Sequence, residues 1–277
     1  MLPVPNTGSP GPARRKAWNL PDAPGRPATA LSCPDATART VPGLVNFRDL
    51  GGRRRSNGVL TPHGVFFRSE TVDAVPPAGW EKLYTLGIRT VVDLRQPGER
   101  ARDTGTRPPW LTTVPVDLDG LADHPDFWAG YWDNGLMGTP LYYLPHLVRL
   151  PQRMGAVLAA LAEAPEGGVL FHCMAGRDRT GMTAMVLLAA AGTEPEDIRD
   201  DYFETVRNAD ALAAATGRPN PEAQAEQLCT VHGTSMDGAF RAALEGLDLE
   251  QLFDAAGLPG DVRTRIRTWR GTVSVLS

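Results

Sequence analysis

Hydrophobic and polar positions in this chain follow two alternating periods. Residues 88–94 form a β-branched run, the pattern of a strand buried on both faces, and 64–68 and 169–171 are shorter runs of the same kind. A weaker strand pattern covers 111–116. Between these runs the spacing turns helical. Residues 77–86 place Trp80, Leu83 and Tyr84 on one face, with Gly87 as the stop. Residues 152–163 form a second helix, and a long apolar one runs from about 179 to 191, where Gly192 ends it. Pro195-Glu196-Asp197 starts another, with Ile198, Tyr202, Phe203 and Val206 as its apolar face. The chain stays helical in character to about residue 270, apart from a polar loop near 217–221. Strands separated by helices predict an α/β domain with a mainly parallel central sheet flanked by helices.

One stretch breaks this alternation. Residues 120–150 carry Phe127, Trp128, Tyr131, Trp132, Tyr142 and Tyr143 among scattered Gly and Pro. Two arrangements account for it: a helical lid insertion over a pocket, or a helix pair in the interior. Residues 1–40 differ again, being rich in Pro, Gly, Ala and Arg. Such a segment buries too little apolar surface to offset its ordering entropy, so it reads as a flexible tail in which Trp18 and Leu20 are local docking points. The folded domain is expected over 41–277.

Composition narrows the function classes. The chain has 277 residues, 42% of them hydrophobic, which suffices for a well-buried core. Its formal net charge of −4 lacks the basic footprint of a nucleic-acid binder, so no nucleic-acid partner is expected. An acidic chain binds a phosphorylated substrate only through a local cluster of Arg, Lys and backbone N–H groups. Cys33, Cys173 and Cys229 are far apart and unpaired, a set that makes neither a disulfide framework nor a zinc site and fits a reducing cytoplasm. The longest apolar run, 182–191, is too short for a membrane span.

The chemistry concentrates where the strand 169–171 runs into His172-Cys173-Met174-Ala175-Gly176-Arg177-Asp178-Arg179-Thr180-Gly181, with a helix starting at its end. Unpaired N–H groups of such a loop and of the first helical turn converge on one point, and the helix dipole adds positive charge there. A phosphate dianion would be bound by the amides of Met174 to Arg179, above the Cys173 thiol. Gly176 lets the backbone curl without a Cβ in the way. Arg179 supplies a planar, permanently charged fork for two phosphate oxygens. Thiolate, the nucleophilic form of cysteine, is favoured at such helix starts, and Thr180 is placed to donate a hydrogen bond to the sulfur as leaving group. A buried structural cysteine is the bland alternative, and the flanking His172, Gly176, Thr180 and Gly181 weigh against it.

The segment His172-Cys-x5-Arg-Thr-Gly181 resembles the phosphate-binding loop of protein tyrosine phosphatases, and more narrowly the bacterial tyrosine/serine phosphatases with an HC-x-x-G-K-D-R-T-G loop. Asn46-Phe47-Arg48-Asp49-Leu50-Gly51-Gly52 matches that family's NFRDLGG signature. Phe67-Arg68-Ser69, then Val92-Asp93-Leu94-Arg95 with Glu99, and finally Asp201-Tyr202 match further blocks in the right order. The resemblance implies a two-step, metal-free and cofactor-free hydrolysis. Cys173 attacks phosphorus to form a phosphocysteine, a general acid protonates the departing oxygen, and water then cleaves the thiophosphate. It assigns the acid to Asp178, with Asp117, Asp119, Asp126 and Asp133 as competitors, since other tyrosine phosphatases carry the acid on an upstream loop. Asp178 also has a duller explanation, a carboxylate favouring a helix N-terminus. Arg177 departs from the pattern, which commonly has Lys there, and this leaves phosphoinositide activity open.

His172 is expected to position the loop. His63, His124, His146 and His232 show no ligand spacing and read as surface or turn residues, and Cys33 and Cys229 read as inert. Arg48, Asp49, Arg68, Asp93 and Arg95 either contact substrate or form an ion-pair scaffold beneath the loop. Protein phosphotyrosine is the default substrate. The alternatives are a small nucleoside- or sugar-derived phosphate, a phosphoinositide, or phosphate binding without turnover.

Overall fold

In the computed structural model of the chain, residues 40–276 are described. The tail expected over 1–40 lies outside them apart from Thr40, and Trp18, Leu20 and Cys33 fall with it.

Five strands form one sheet in the order β1-β2-β5-β3-β4, where β1 is Arg48–Asp49, β2 Phe66–Ser69, β3 Ile88–Asp93, β4 Thr112–Pro115 and β5 Gly168–His172. The four longer strands run parallel, as the alternating pattern predicts, and β1 pairs antiparallel with β2 through Arg48 opposite Arg68. Val91, Val92, Val169, Leu170 and Phe171 are wholly buried, the outcome expected of β-branched and aromatic runs covered on both faces. Sheet register sets the site: Ser69 lies opposite His172, and Asp93 also pairs with His172. The carboxyl ends of β2, β5 and β3 therefore meet on one edge, where open parallel sheets bind ligands.

Twelve helices surround the sheet among the described residues: α1 (Pro77–Thr85), α2 (Pro97–Arg100), α3 (Pro125–Trp128), α4 (Tyr143–Arg149), α5 (Pro151–Glu163), α6 (Asp178–Ala190), α7 (Pro195–Arg207), α8 (Ala209–Thr216), α9 (Glu222–Val231), α10 (Met236–Glu245), α11 (Leu249–Ala255) and α12 (Gly260–Arg267). α1 stops where expected, at Gly87 with φ +84°, a left-handed conformation open to glycine. α6 buries Met182 and every residue from Ala184 to Leu188, so it is a core helix, and its N-terminus abuts β5 through the loop 173–177. Each of Met182, Met185, Val186, Leu187 and Leu188 contributes about 1.5–3 kcal/mol on burial.

The aromatic stretch packs inward. Trp128, Tyr142 and Tyr143 are buried in the main core, and the Trp128 indole donates to the Asp119 carbonyl at 2.8 Å. Only Trp132 of this group is exposed, at 36%. The interior arrangement thus describes residues 120–150 better than a hinged cover does. His146 belongs to the same packing: it is fully buried, its Nε2 lies 3.1 Å from the Leu118 carbonyl, and burial pushes its pKa down to about 4. Reading His146 as a surface residue was wrong, because one ring nitrogen with one backbone acceptor lets a neutral histidine fill an aromatic core. Cys229 is buried with its sulfur 3.3 Å from that of Met236, a packing contact.

Candidate active site

Carbonyl groups determine how the loop is curled. The carbonyl of Met174 accepts from the Thr71 amide at 2.9 Å. That of Ala175 accepts from Asn46 Nδ2 at 3.2 Å, and that of Gly176 from Arg68 Nη2 at 2.6 Å. In a planar trans peptide the C=O and the following N–H point in opposite directions. Holding three successive carbonyls outward therefore turns the amides of Ala175, Gly176 and Arg177 inward, and the first amides of α6 continue the ring. Gly176 has φ +68°, and a Cβ there would sit 2.4 Å from the Ser69 carbonyl, so both conformation and close approach require glycine. Cys173 opens the loop and is 3% exposed.

A fully buried ion cluster braces the loop from below. Arg68 Nη1 meets Asp201 Oδ2 at 2.5 Å, and Arg48 Nε meets Asp201 Oδ1 at 2.7 Å. Arg48 also bonds Thr205 and Asn46, which orients the Asn46 amide toward the loop. Asn46 is held in turn by Glu70, whose Oε2 accepts the Asn46 amide at 3.0 Å. Burial works against the Asp201 carboxylate, but Arg48, Arg68 and Arg53 outweigh it and keep Asp201 well below the usual range. Arg48 and Arg68 thus form ion pairs beneath the loop, the geometry of the duller of the two expectations. Arg95 is similar: it bonds Asp93 at 2.8 and 2.9 Å, Asp73 at 2.6 Å and Thr71 at 3.0 Å. Despite burial, Arg95 draws Asp73 down to about 2.

His172 Nδ1 lies 2.9 Å from the Cys173 carbonyl, while Nε2 stands 3.9 Å from Asp93 Oδ2. Burial pushes its pKa down against the opposing charge of Asp93, and its Nδ1 contact ties the end of β5 to the start of the loop. Thr180 is buried with no hydrogen-bond partner for its hydroxyl among the described residues, so the expected bond to sulfur is not made in this structure.

Arg179 is held from the side. Glu99 grips its two terminal nitrogens at 2.5 and 2.8 Å, and Asp119 adds a contact at 3.2 Å. Glu99 in turn accepts the Gln96 amide in a capping box at the start of α2. Asp119 is 1% exposed, and burial raises its pKa to about 6 even beside Arg179. Its Oδ2 accepts from Gln96 at 2.7 Å, while Oδ1 is buried without a partner among the described residues. Of the other competing acids, Asp126 and Asp133 are exposed, and Asp117 accepts the Gly120 amide in a turn.

Asp178 is the first residue of α6, and its side chain is 20% exposed. Burial raises its pKa, with Arg177 at 2.7 Å opposing the rise. Arg177 Nε and Nη2 pair with the two oxygens of Glu222 at 2.7 and 2.9 Å. Beside the loop, α8 and the turn into α9 wall a cavity of about 450 Å³ that Met174, Ala175 and Arg177 also line. Asn46, Glu99 and Asp201 lie in the motif blocks, which do not assign their partners. Glu70 and Glu222 carry no chemical signal in the sequence, because their roles arise from contacts between distant segments.

The comparisons with known proteins agree with this geometry. A family described as the tyrosine phosphatase family matches residues 39–268. A candidate tyrosine-protein phosphatase of Cupriavidus necator is 33% identical over 209 residues, covering 72% of this chain and 76% of its own length. The triple specificity protein phosphatase PtpB of Mycobacterium tuberculosis is 31% identical over 195 residues, covering 60% of this chain and 68% of its own. A tyrosine-protein phosphatase of Nostoc commune is 28% identical over 202 residues, covering 65% and 63%. No described helix is long and apolar enough to cross a membrane. With an inward-facing amide ring over Cys173, an arginine fixed beside it and a family match across nearly the whole described domain, the chain belongs to the tyrosine phosphatase family.

Proposed function

We propose that this chain hydrolyses phosphomonoesters in the cytoplasm, without a metal, through a phosphocysteine on Cys173, with protein phosphotyrosine as its principal substrate. One observation carries the reading: the outward-bonded carbonyls of Met174, Ala175 and Gly176 leave a ring of amides facing the space over Cys173. In the first step the Cys173 thiolate attacks phosphorus, the P–O bond to the carrier breaks, and Asp178 gives its proton to the departing oxygen. The raised pKa of Asp178 favours the protonated form this step needs. In the second step water attacks phosphorus, the P–S bond breaks to restore the thiolate, and Asp178 takes up the proton. Arg179 and the amides stabilise the charge of both transition states. The low exposure of Cys173 favours a long, flat phosphotyrosine over the shorter phosphoserine.

A second reading keeps the chemistry and takes a small-molecule phosphate, supported by the cavity of about 450 Å³ beside the loop. Hydrolysis of an aryl phosphate is expected to be vanadate-sensitive and chelator-resistant. It should fall by about a thousandfold or more in Cys173→Ser; a variant near the wild-type rate would sink the assignment. Asp178→Asn should lose more rate on alkyl than on activated aryl phosphates, because poor leaving groups need the proton most. Equal losses would make Asp178 structural. Specificity constants for phosphotyrosine, phosphoserine and sugar phosphates decide between the two substrate readings.

A further inference from the structure

Arg177 is the one loop cation whose partners the phosphate cradle does not explain. Its side chain is 3% exposed, and it makes four side-chain hydrogen bonds: to both oxygens of Glu222, to the Gly138 carbonyl at 2.5 Å and to Asp178 Oδ1 at 2.7 Å. A guanidinium has five N–H donors, so one remains. Glu222 opens α9, and its own amide is fixed by Asn220 Oδ1 at 2.9 Å. Pro219 and Pro221 stiffen the turn that delivers it. Glu222 and Arg177 both line the cavity beside the loop, so the carboxylate stands where a substrate's second anionic group would meet this arginine.

Resting on the phosphatase reading above, we infer that Glu222 makes this enzyme selective for substrates bearing a single phosphate, by occupying the donors of Arg177 that a second phosphate would take. A carboxylate on the Nε–Nη2 edge of a guanidinium makes the contact that a phosphate oxygen pair makes there, so the two compete for that edge, whereas Glu99 takes only the Nη1–Nη2 end of Arg179. Asp73, neutralised by Arg95 and Arg107, also lines the cavity, and the exposed Arg218 is the other cation of the lining. An incoming bisphosphate therefore meets a carboxylate already on the arginine that would grip it. Neutralising Glu222 removes the competitor and leaves Arg177 in place. Glutamine at this position keeps one acceptor for Nε and releases Nη2.

Binding without turnover provides the test. The full chain carrying Cys173→Ser is titrated calorimetrically with inositol monophosphate and with inositol bisphosphate, with and without Glu222→Gln. The bisphosphate should bind about tenfold tighter in the Glu222→Gln protein, the gain of one charge-assisted hydrogen bond, while the monophosphate stays within about twofold. Adding Arg177→Ala should abolish the gain. An equal gain for both ligands, no gain, or a gain that survives Arg177→Ala would overturn the inference. The bisphosphate-to-monophosphate affinity ratio is taken within each preparation, so partial unfolding cancels. Loss of the enzymatic reading would instead show as unchanged phosphotyrosine hydrolysis in Cys173→Ser, a separate measurement.

Discussion

Beneath the loop and at its rim, the same ingredients are combined in opposite proportions. Below, Arg48, Arg53 and Arg68 converge on Asp201, itself 1% exposed, with Glu204 as a second carboxylate 3.2 Å from Arg53 and 3.8 Å from Arg48. At the rim, Arg179 faces Glu99 and Asp119, and Arg177 faces Asp178 and Glu222. Cations outnumber carboxylates in the deep layer, and carboxylates outnumber cations at the rim. Protonation follows: Asp201 is held well below the usual carboxylate range, whereas at the rim Asp119 and Asp178 are raised by burial and Glu99, gripped by both terminal nitrogens of Arg179, is drawn down. A carboxylate surrounded by arginines is a permanent brace. One that shares an arginine and loses its water can hold a proton, and so can take part in chemistry.

Breaking the deep layer should have the largest effect. Asp201→Asn leaves buried guanidinium charge without its counter-ion, and a loss of about 3–5 kcal/mol is expected in denaturant unfolding. The sign with pH follows from the depressed pKa: the stability Asp201 contributes is present above the unfolded carboxylate value and lost as pH falls through the folded one. A loss under about 1 kcal/mol would mean that the arginines brace the loop without it.

Asp119→Asn tests the rim with the opposite sign. The wild-type carboxyl titrates at about 6, above its unfolded value, so burying its charge costs nothing at low pH and progressively more as pH rises from about 4 through 6. The variant keeps an acceptor for Gln96 and removes that cost. Relative to wild type it should gain up to about 3 kcal/mol between pH 4 and pH 7, read from unfolding curves across that range. A pH-independent difference would show that Asp119 is ionised throughout.

Glu99→Gln should have the smallest effect on stability and a clear one on rate. Losing one charged grip on Arg179 lets the guanidinium drift, and kcat/KM on an aryl phosphate should fall about a hundredfold while the unfolding midpoint moves little. A loss below about twofold would transfer the positioning of Arg179 to Asp119 alone.

What could be read in the sequence divides along similar lines. The parallel sheet, the core helix α6 and the loop 173–179 rest on local signals: a β-branched run, an apolar helix, a cysteine and an arginine with five residues between them. Those signals survive without tertiary context. The partners of Arg179 and Arg177 do not, because Glu99 and Glu222 lie 80 and 45 residues away and look like ordinary helix-start carboxylates. His146 was misread for the related reason that a neutral histidine in an aromatic core carries no spacing signal. The aromatic stretch 120–150 was compatible with two packings, and only the burial of Trp128, Tyr142 and Tyr143 separates them.

The outward-held carbonyls of the loop also bear on how the protein acquires activity. Asn46 reaches the Gly176 carbonyl across 130 residues of chain, Arg68 reaches it across 108, and Arg48 reaches Asp201 across 153. Contacts of such long sequence separation close late, since the loop entropy must be overcome before they form. The amide ring therefore cannot be assembled by the β5–α6 segment alone, nor by a nascent chain that has yet to produce α7. In a refolding experiment, recovery of turnover should lag the return of helical signal, making catalysis a reporter of the last step of folding.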